Sequence, residues 1–226
     1  MIGLIAAMPS EMDAIIACLD NQKEHTISGI KMVSGTIANK EVVVMLSGVG
    51  KCRAALSTTI LCEHFKLEEI INIGTAGGLK AEEEILDAVI STQVVQHDFD
   101  TSPIDGDDGI GLYFNANETM LERAKKVLED QNVRVHCGLV ASGDEFVARN
   151  DQLQRLATYF PNAICAEMEA GAVAAVCTHY QIPFVVIRSL SDVACREDSE
   201  MDFTQYVVHA AKRSAQFVST YVASLG

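Results

Sequence analysis

Apolar residues recur along this chain with two periods, and the switches between them mark out the elements. Residues 2–7 form an unbroken apolar run of strand length, the pattern of a strand covered on both faces. Ser10 with Asp13 three positions later resembles a capping box and predicts a helix over 11–19. Residues 26–34, 35–38 and 41–47 are rich in β-formers, with Asn39 and Lys40 as the hairpin turn. The Gly48–Gly50 break then opens a helix over 51–65. A strand over 69–73 runs into the glycine-rich segment 74–78, and another over 87–96 into a polar loop over 98–111. Asn117 caps a helix reaching to 131, and a strand over 133–141 stops at Ser142, Gly143 and Asp144. A helix over 151–159, a strand end at 163–166 and a small-residue helix over 170–180 follow. A nearly non-polar strand over 183–189 and a helix over 203–225 complete the series. Early hairpins followed by alternating strands and helices predict one three-layer α/β/α domain spanning 1–226 around a central mixed β-sheet.

Composition narrows the partners. Of 226 residues, 49% are hydrophobic and 21% charged, which excludes a disordered or fibrous chain. Seventeen Lys and Arg face 31 Asp and Glu, a net charge of −14, so the basic surface that a nucleic-acid binder needs is missing. The apolar runs fall far short of the roughly 20 residues of a membrane helix. The seven cysteines are scattered, with no CxxC pair and no zinc spacing, and read as reduced, core-filling thiols of a cytoplasmic protein. The histidines offer no metal set.

In α/β sheets ligands gather at the carboxyl ends of strands. Four strand ends here carry polar or glycine residues: 8–11, 74–78, 142–147 and 188–192. The segment 167–169 lies beside them at a strand-to-helix junction. Glu11, Glu169 and Asp192 thereby converge on one rim. Each also has a plainer reading: Glu11 suits the dipole of a first helical turn, Asp192 suits an N-cap, and one of Glu167 and Glu169 suits a supporting role. Residues 74–78 match neither a Walker A loop nor GxGxxG and signal only a close backbone approach. With no GxSxG elbow, a carboxylate-rich site points to acid–base chemistry on a neutral or cationic substrate.

Six strings taken together carry a resemblance: GLIAAMPSEM (3–12), SGVGK (47–51), INIGTAGGL (71–79), SGDEFV (142–147), CAEMEAGAVA (165–174) and PFVVIRSLSD (183–192). They closely resemble the 5′-methylthioadenosine/S-adenosylhomocysteine nucleosidases of the nucleoside phosphorylase/hydrolase family, in register along nearly the whole chain. The resemblance implies a nucleoside phosphorylase-like fold, a homodimer, adenosine thioethers as substrates, and no cofactor or metal. It implies that Asp192 protonates the purine at N7 and that Glu11 holds and deprotonates the attacking water. Glu169 would accept hydrogen bonds from the ribose hydroxyls, with Met168 against the sugar face. Phe146 would stack on adenine, while the backbone of Val147 reads its edge. Gly77 would let the backbone approach the substrate, Met8, Val49 and Phe203 would supply apolar wall, and Arg188 would orient the carboxylates, with Glu167 as support.

The residue types agree with that chemistry, because carboxylates stabilise oxocarbenium character on ribose while an acid neutralises the departing base. For Asp192 to hold a proton near pH 7, its pKa must rise from ~3.9 by about three units, roughly 4 kcal/mol. Related phosphorylases hold their dianion with arginines near the first loop and the glycine-rich loop. Residues 8–11 and 73–77 contain no Arg or Lys, and Glu11 would repel phosphate. Water is therefore the expected nucleophile. Typical members carry an aromatic, glycine-rich loop after the His-Asp pair that reaches into the neighbouring subunit's site. Here the apolar reach of 98–108 is reduced to Phe99, Pro103 and Ile104. Nucleosidases for other adenosine compounds, such as 5′-deoxyadenosine or aminofutalosine, a purine nucleoside phosphorylase, and a nucleoside-binding module without catalysis are the alternatives.

Overall fold

In the computed structural model the first apolar run is β1 (Ile2–Ala6), flanked by parallel strands at both edges and buried at all five positions because both sheet faces are covered. The structure describes the backbone of residues 1–194 and 199–225, and the side chains of 1–194 and 206–225. After β1 come α1 (Pro9–Ile16), the meander β2 (Asp20–Ile27), β3 (Ile30–Ile37) and β4 (Lys40–Leu46), then α2 (Lys51–His64) and β5 (Glu69–Gly78). The second half holds β6 (Ala88–Asp100), α3 (Ser102–Asp105), a 3₁₀ turn (Gly106–Gly109), β7 (Ile110–Asn115), α4 (Glu118–Asp130) and β8 (Val135–Ser142). It ends with α5 (Asn150–Tyr159), β9 (Ala163–Glu167), α6 (Ala170–Tyr180), β10 (Phe184–Val193) and α7 (Ser199–Ala223).

Among the described residues ten strands form one mixed sheet ordered β10-β6-β8-β9-β5-β1-β4-β3-β2, with β7 on the edge of β6. Because β10 also pairs with β5, the strands β5, β10, β6, β8 and β9 close into a ring, from which the hairpin strands and β7 extend. Two cores make the three layers. On one face Leu4, Val44, Ile71 and Ile187 pack with Met12 and Ile15 of α1 and with Phe217, Val218 and Tyr221 of α7. On the other, Ile5, Met45, Ile70 and Val186 pack with Ala54 and Leu61 of α2 and Val173 and Cys177 of α6. Alternation along the strands sends successive side chains into opposite cores.

Several boundaries differ from the sequence expectation. Helix α1 starts at Pro9, whose missing N–H costs nothing at a first helical position, and its cap is made by Met8 and Glu11 rather than Ser10 and Asp13. The stretch 26–34 is not one strand: Ser28 (φ 51°) and Gly29 (φ 80°) turn between Ile27 and Ile30. The next turn uses Ala38 and Asn39, both at positive φ, one residue earlier than expected. Two consecutive positive φ values are the turn geometry that matches strand twist. The polar loop over 98–111 instead holds the end of β6, α3, the 3₁₀ turn and the start of β7. Among the described residues no helix is long and apolar enough to cross a membrane.

Candidate active site

Ten of the sequence-singled residues line one cleft, of about 760 Å³ with its open mouth included. Met8, Glu11, Val49, Gly77 and Phe146 reach it from α1, the loop after β4, β5 and the loop after β8. Val147, Met168, Glu169, Arg188 and Asp192 complete the set from that same loop, the β9–α6 junction and β10. The side chain of Phe203 lies outside the described residues.

Glu11 owes its position to helix capping. As the third residue of α1 it turns back, and Oε2 accepts the N–H groups of Ala7 (3.0 Å) and Met8 (2.9 Å). Oε1 accepts the Thr75 N–H at 3.1 Å, with the Thr75 hydroxyl at 3.5 Å. The helix-terminal reading and the site reading of this residue are one arrangement: capping aims the carboxylate at β5. Burial pushes its pKa up, against the opposing pull of the Met8 N–H and the Arg188 charge. The carboxylate fits because position 74 is glycine, where an added Cβ would lie 2.9 Å from Oε1.

Arg188, 1% exposed in the middle of β10, organises the other carboxylates. Its Nη2 donates to Asn72 Oδ1 (2.7 Å) and Glu167 Oε2 (2.5 Å). Glu167 also accepts the Glu169 and Ala170 N–H groups that open α6. Its oxygens are therefore committed to a helix terminus and a guanidinium. Glu169 instead faces the cleft, with Oε1 accepting the Gly50 N–H at 3.0 Å. Burial and the neighbouring Glu167 charge raise its pKa to about 7, although Arg188 and the Gly50 N–H oppose them.

Asp192 reaches the cleft through a strand irregularity. The β10–β5 register slips between Leu190 and Asp192, setting Asp192 opposite Gly77. A bulge re-aims the side chains that follow it. A Cβ at Gly77 would lie 3.0 Å from Asp192 Oδ2, so this glycine makes room for the carboxyl itself. The Ser191 hydroxyl donates to Oδ1 at 2.9 Å. Glu11 and Asp192 thus sit against Gly74 and Gly77, three residues apart on β5. That is about 10 Å along a strand, enough for a sugar between them.

A sequence model described as the phosphorylase superfamily matches residues 1–223. The chain belongs to the phosphorylase superfamily. Over 222 residues and 96% of both chains it is 38% identical to the 5′-methylthioadenosine/S-adenosylhomocysteine nucleosidase of Bacillus cereus (strain B4264). Its fold overlays the S-adenosylhomocysteine nucleosidase of Streptococcus pyogenes in complex with 5-methylthiotubericidin, with TM-score 0.94, 34% identity and coverage of 100% and 97%. It also overlays the native futalosine hydrolase of Helicobacter pylori, with TM-score 0.92, 32% identity and coverage of 99% and 97%.

Within this superfamily member, four supporting residues carried no local signal in the sequence. Asn72 lies mid-strand and meets Arg188 across 116 residues. Thr75 was visible only as part of a glycine-rich string, and Ser191 only as the residue before an aspartate. Ser214 of α7 donates to the Gly74 carbonyl at 3.1 Å, tying the last helix to the strand that carries both glycines.

Proposed function

We propose that the protein hydrolyses the N-glycosidic bond of 5′-methylthioadenosine and S-adenosylhomocysteine, releasing adenine and the 5-thioribose product. Asp192 is the general acid at purine N7, and Glu11 is the base that takes a proton from the attacking water. Glu169 holds the ribose hydroxyls, with Met168 beneath the sugar. Phe146 stacks on adenine and the Val147 backbone reads its edge, while Met8, Val49 and Phe203 wall the thioalkyl end. Bond cleavage puts positive charge on ribose, and Glu169 and Glu11 stabilise it electrostatically. The raised pKa of Glu11 brings its basicity closer to neutral pH, where proton transfer is most effective.

The observation that carries the choice of water over phosphate is the charge around Glu11. Among the described residues lining the cleft, Arg188 is the one cation, and its Nη2 is engaged by Asn72 and Glu167. A dianion placed there would face the glutamates that line the cleft, Glu11, Glu145, Glu167 and Glu169. Glu11 Oε1, with one close donor, retains a lone pair for a water. The experiment is adenine release from methylthioadenosine in phosphate-free buffer, repeated with phosphate added. Release without phosphate, unchanged on its addition, is expected; release only with phosphate makes the protein a phosphorylase.

A second reading keeps the chemistry and changes the 5′ group. The likeness to a futalosine hydrolase supports aminofutalosine as a competing substrate, which a kcat/KM panel over the three nucleosides separates. We also propose a cytoplasmic homodimer. Phe99, Ile104, Leu112 and Tyr113, exposed along 99–113, supply the apolar surface for a second copy.

A further inference from the structure

Behind the Gly50 peptide, whose N–H donates to Glu169, stands a set of charged residues that none of the roles above uses. Lys51 opens α2, Asp98 lies near the end of β6, and Asp144 stands in the loop after β8. Lys51 Nζ meets Asp98 Oδ1 at 2.5 Å and Gln96 Oε1 at 3.3 Å. Asp98 Oδ2 accepts the Asp144 N–H at 2.9 Å, and Asp144 Oδ1 accepts the Lys51 N–H at 2.7 Å. The bonds form a closed circuit through three segments far apart in sequence. Within it the Lys51 and Asp98 side chains are partly withdrawn from water, 18% and 25% exposed, while Asp144 is exposed. A circuit of charge-assisted bonds in such surroundings is stiffer than an isolated surface pair.

Its stiffness falls on one peptide. Gly50 immediately precedes Lys51 and has φ 93° with ψ 157°, a conformation open essentially only to glycine. An added Cβ at Gly50 would lie 3.1 Å from Asp144 Oδ1, so the aspartate packs directly on that residue. The Gly50 N–H is the donor to Glu169 Oε1. Asp144 therefore grips the two adjacent peptides, one by hydrogen bond and one by contact, and the second of them aims an N–H at the carboxylate in the cleft.

We propose that Lys51, Asp98 and Asp144 are positioning residues that hold the Gly50 N–H against Glu169 and thereby set discrimination for the ribose hydroxyls. The inference rests on the reading of Glu169 as the ribose-binding carboxylate. Without the circuit the glycine loop samples other conformations, Glu169 loses its fixed donor, and the substrate loses a pre-aimed acceptor. The part of the site that holds the base is unaffected.

The test compares methylthioadenosine with its 2′-deoxy and 3′-deoxy analogues, using kcat/KM where they turn over and competitive inhibition constants where they do not. In Asp144→Ala, affinity and kcat/KM for methylthioadenosine fall about tenfold, the size of one lost charge-assisted bond. The analogue that the wild-type protein discriminates against changes less than about twofold. Asp144→Asn, which keeps an acceptor oxygen for the Lys51 N–H, restores most of the discrimination. Lys51→Met, which keeps that N–H but removes the ammonium, lowers it in the same direction and carries the test alone if Asp144→Ala does not fold. Equal losses on methylthioadenosine and on the deoxy analogue, or no loss on either, would overturn the proposal. Failure of the wild-type protein to release adenine would instead overturn the reading of the site.

Discussion

Asp192 and Glu11 do opposite things with a proton in the proposed reaction, and a substitution at Asp192 isolates the share of the acid. Asp192 is 1% exposed, and its Oδ1 takes a hydrogen bond from Ser191. Asparagine has the same shape, can keep that bond and can still place an amide near purine N7, but it has no proton to deliver. Asp192→Asn is therefore expected to lower kcat by 10²–10⁴, the usual range for a lost general acid. Substrate affinity should stay within a few-fold, read by titration calorimetry beside adenine-release kinetics. Parallel losses in affinity and turnover would mean that the aspartate serves structure alone. The carboxylates themselves were legible in the sequence, because three of them at strand ends with no basic cluster is an unusual grouping. Their bond partners were not. Nothing local to Asn72 or Thr75 announces a residue 116 or 64 positions away.

Strand β5 contributes no catalytic group of its own, yet two of its glycines decide where the acid and the base stand. At Gly74 a methyl would sit 2.9 Å from Glu11 Oε1 and 3.4 Å from Arg188 Nη1, so Gly74→Ala must displace the carboxylate. A displacement approaching 1 Å is enough to cost about 10² in kcat/KM. Gly29→Ala is the control: its φ of 80° strains the turn, but no atom lies within 4 Å of the added Cβ. That variant should melt a few degrees lower while kcat/KM stays at the wild-type value. An active Gly74→Ala would remove Glu11 from the reacting centre. The same scale shows why some elements could be read and others not. Helix α6 lies at its expected bounds, 170–180, and Asn117 caps α4 by accepting the Met120 N–H, because those signals are local. Strand β7 escaped notice because its exposed positions break the alternation on which strand reading depends. The ring closure of β10 on β5 is a long-range pairing, and no stretch of sequence encodes it locally.

For the whole molecule, gathering carboxyls in a buried cleft has a cost that depends on pH. A carboxyl at about 7 in the folded protein and near its ordinary 4.5 in the unfolded chain binds more protons when folded throughout that window. Stability contributed by Glu169 is therefore full below about pH 4.5 and is lost as pH rises through 7, the reverse of an ordinary paired carboxylate. The rise from 4.5 to about 7 sets an upper limit of about 3 kcal/mol. Glu11, shifted in the same direction by burial, adds to the trend, and the net charge of −14 reinforces it through self-repulsion. The unliganded protein is accordingly expected to lose Tm between pH 5 and pH 7.5. Glu169→Gln removes the titrating group while keeping an oxygen for the Gly50 N–H, so its Tm should fall less steeply over that range and exceed the wild-type value at pH 7.5. Scanning calorimetry of both proteins across the interval decides it. Parallel curves would mean that Glu169 titrates alike in both states, and that burial and the Glu167 charge do not raise its pKa in the folded protein.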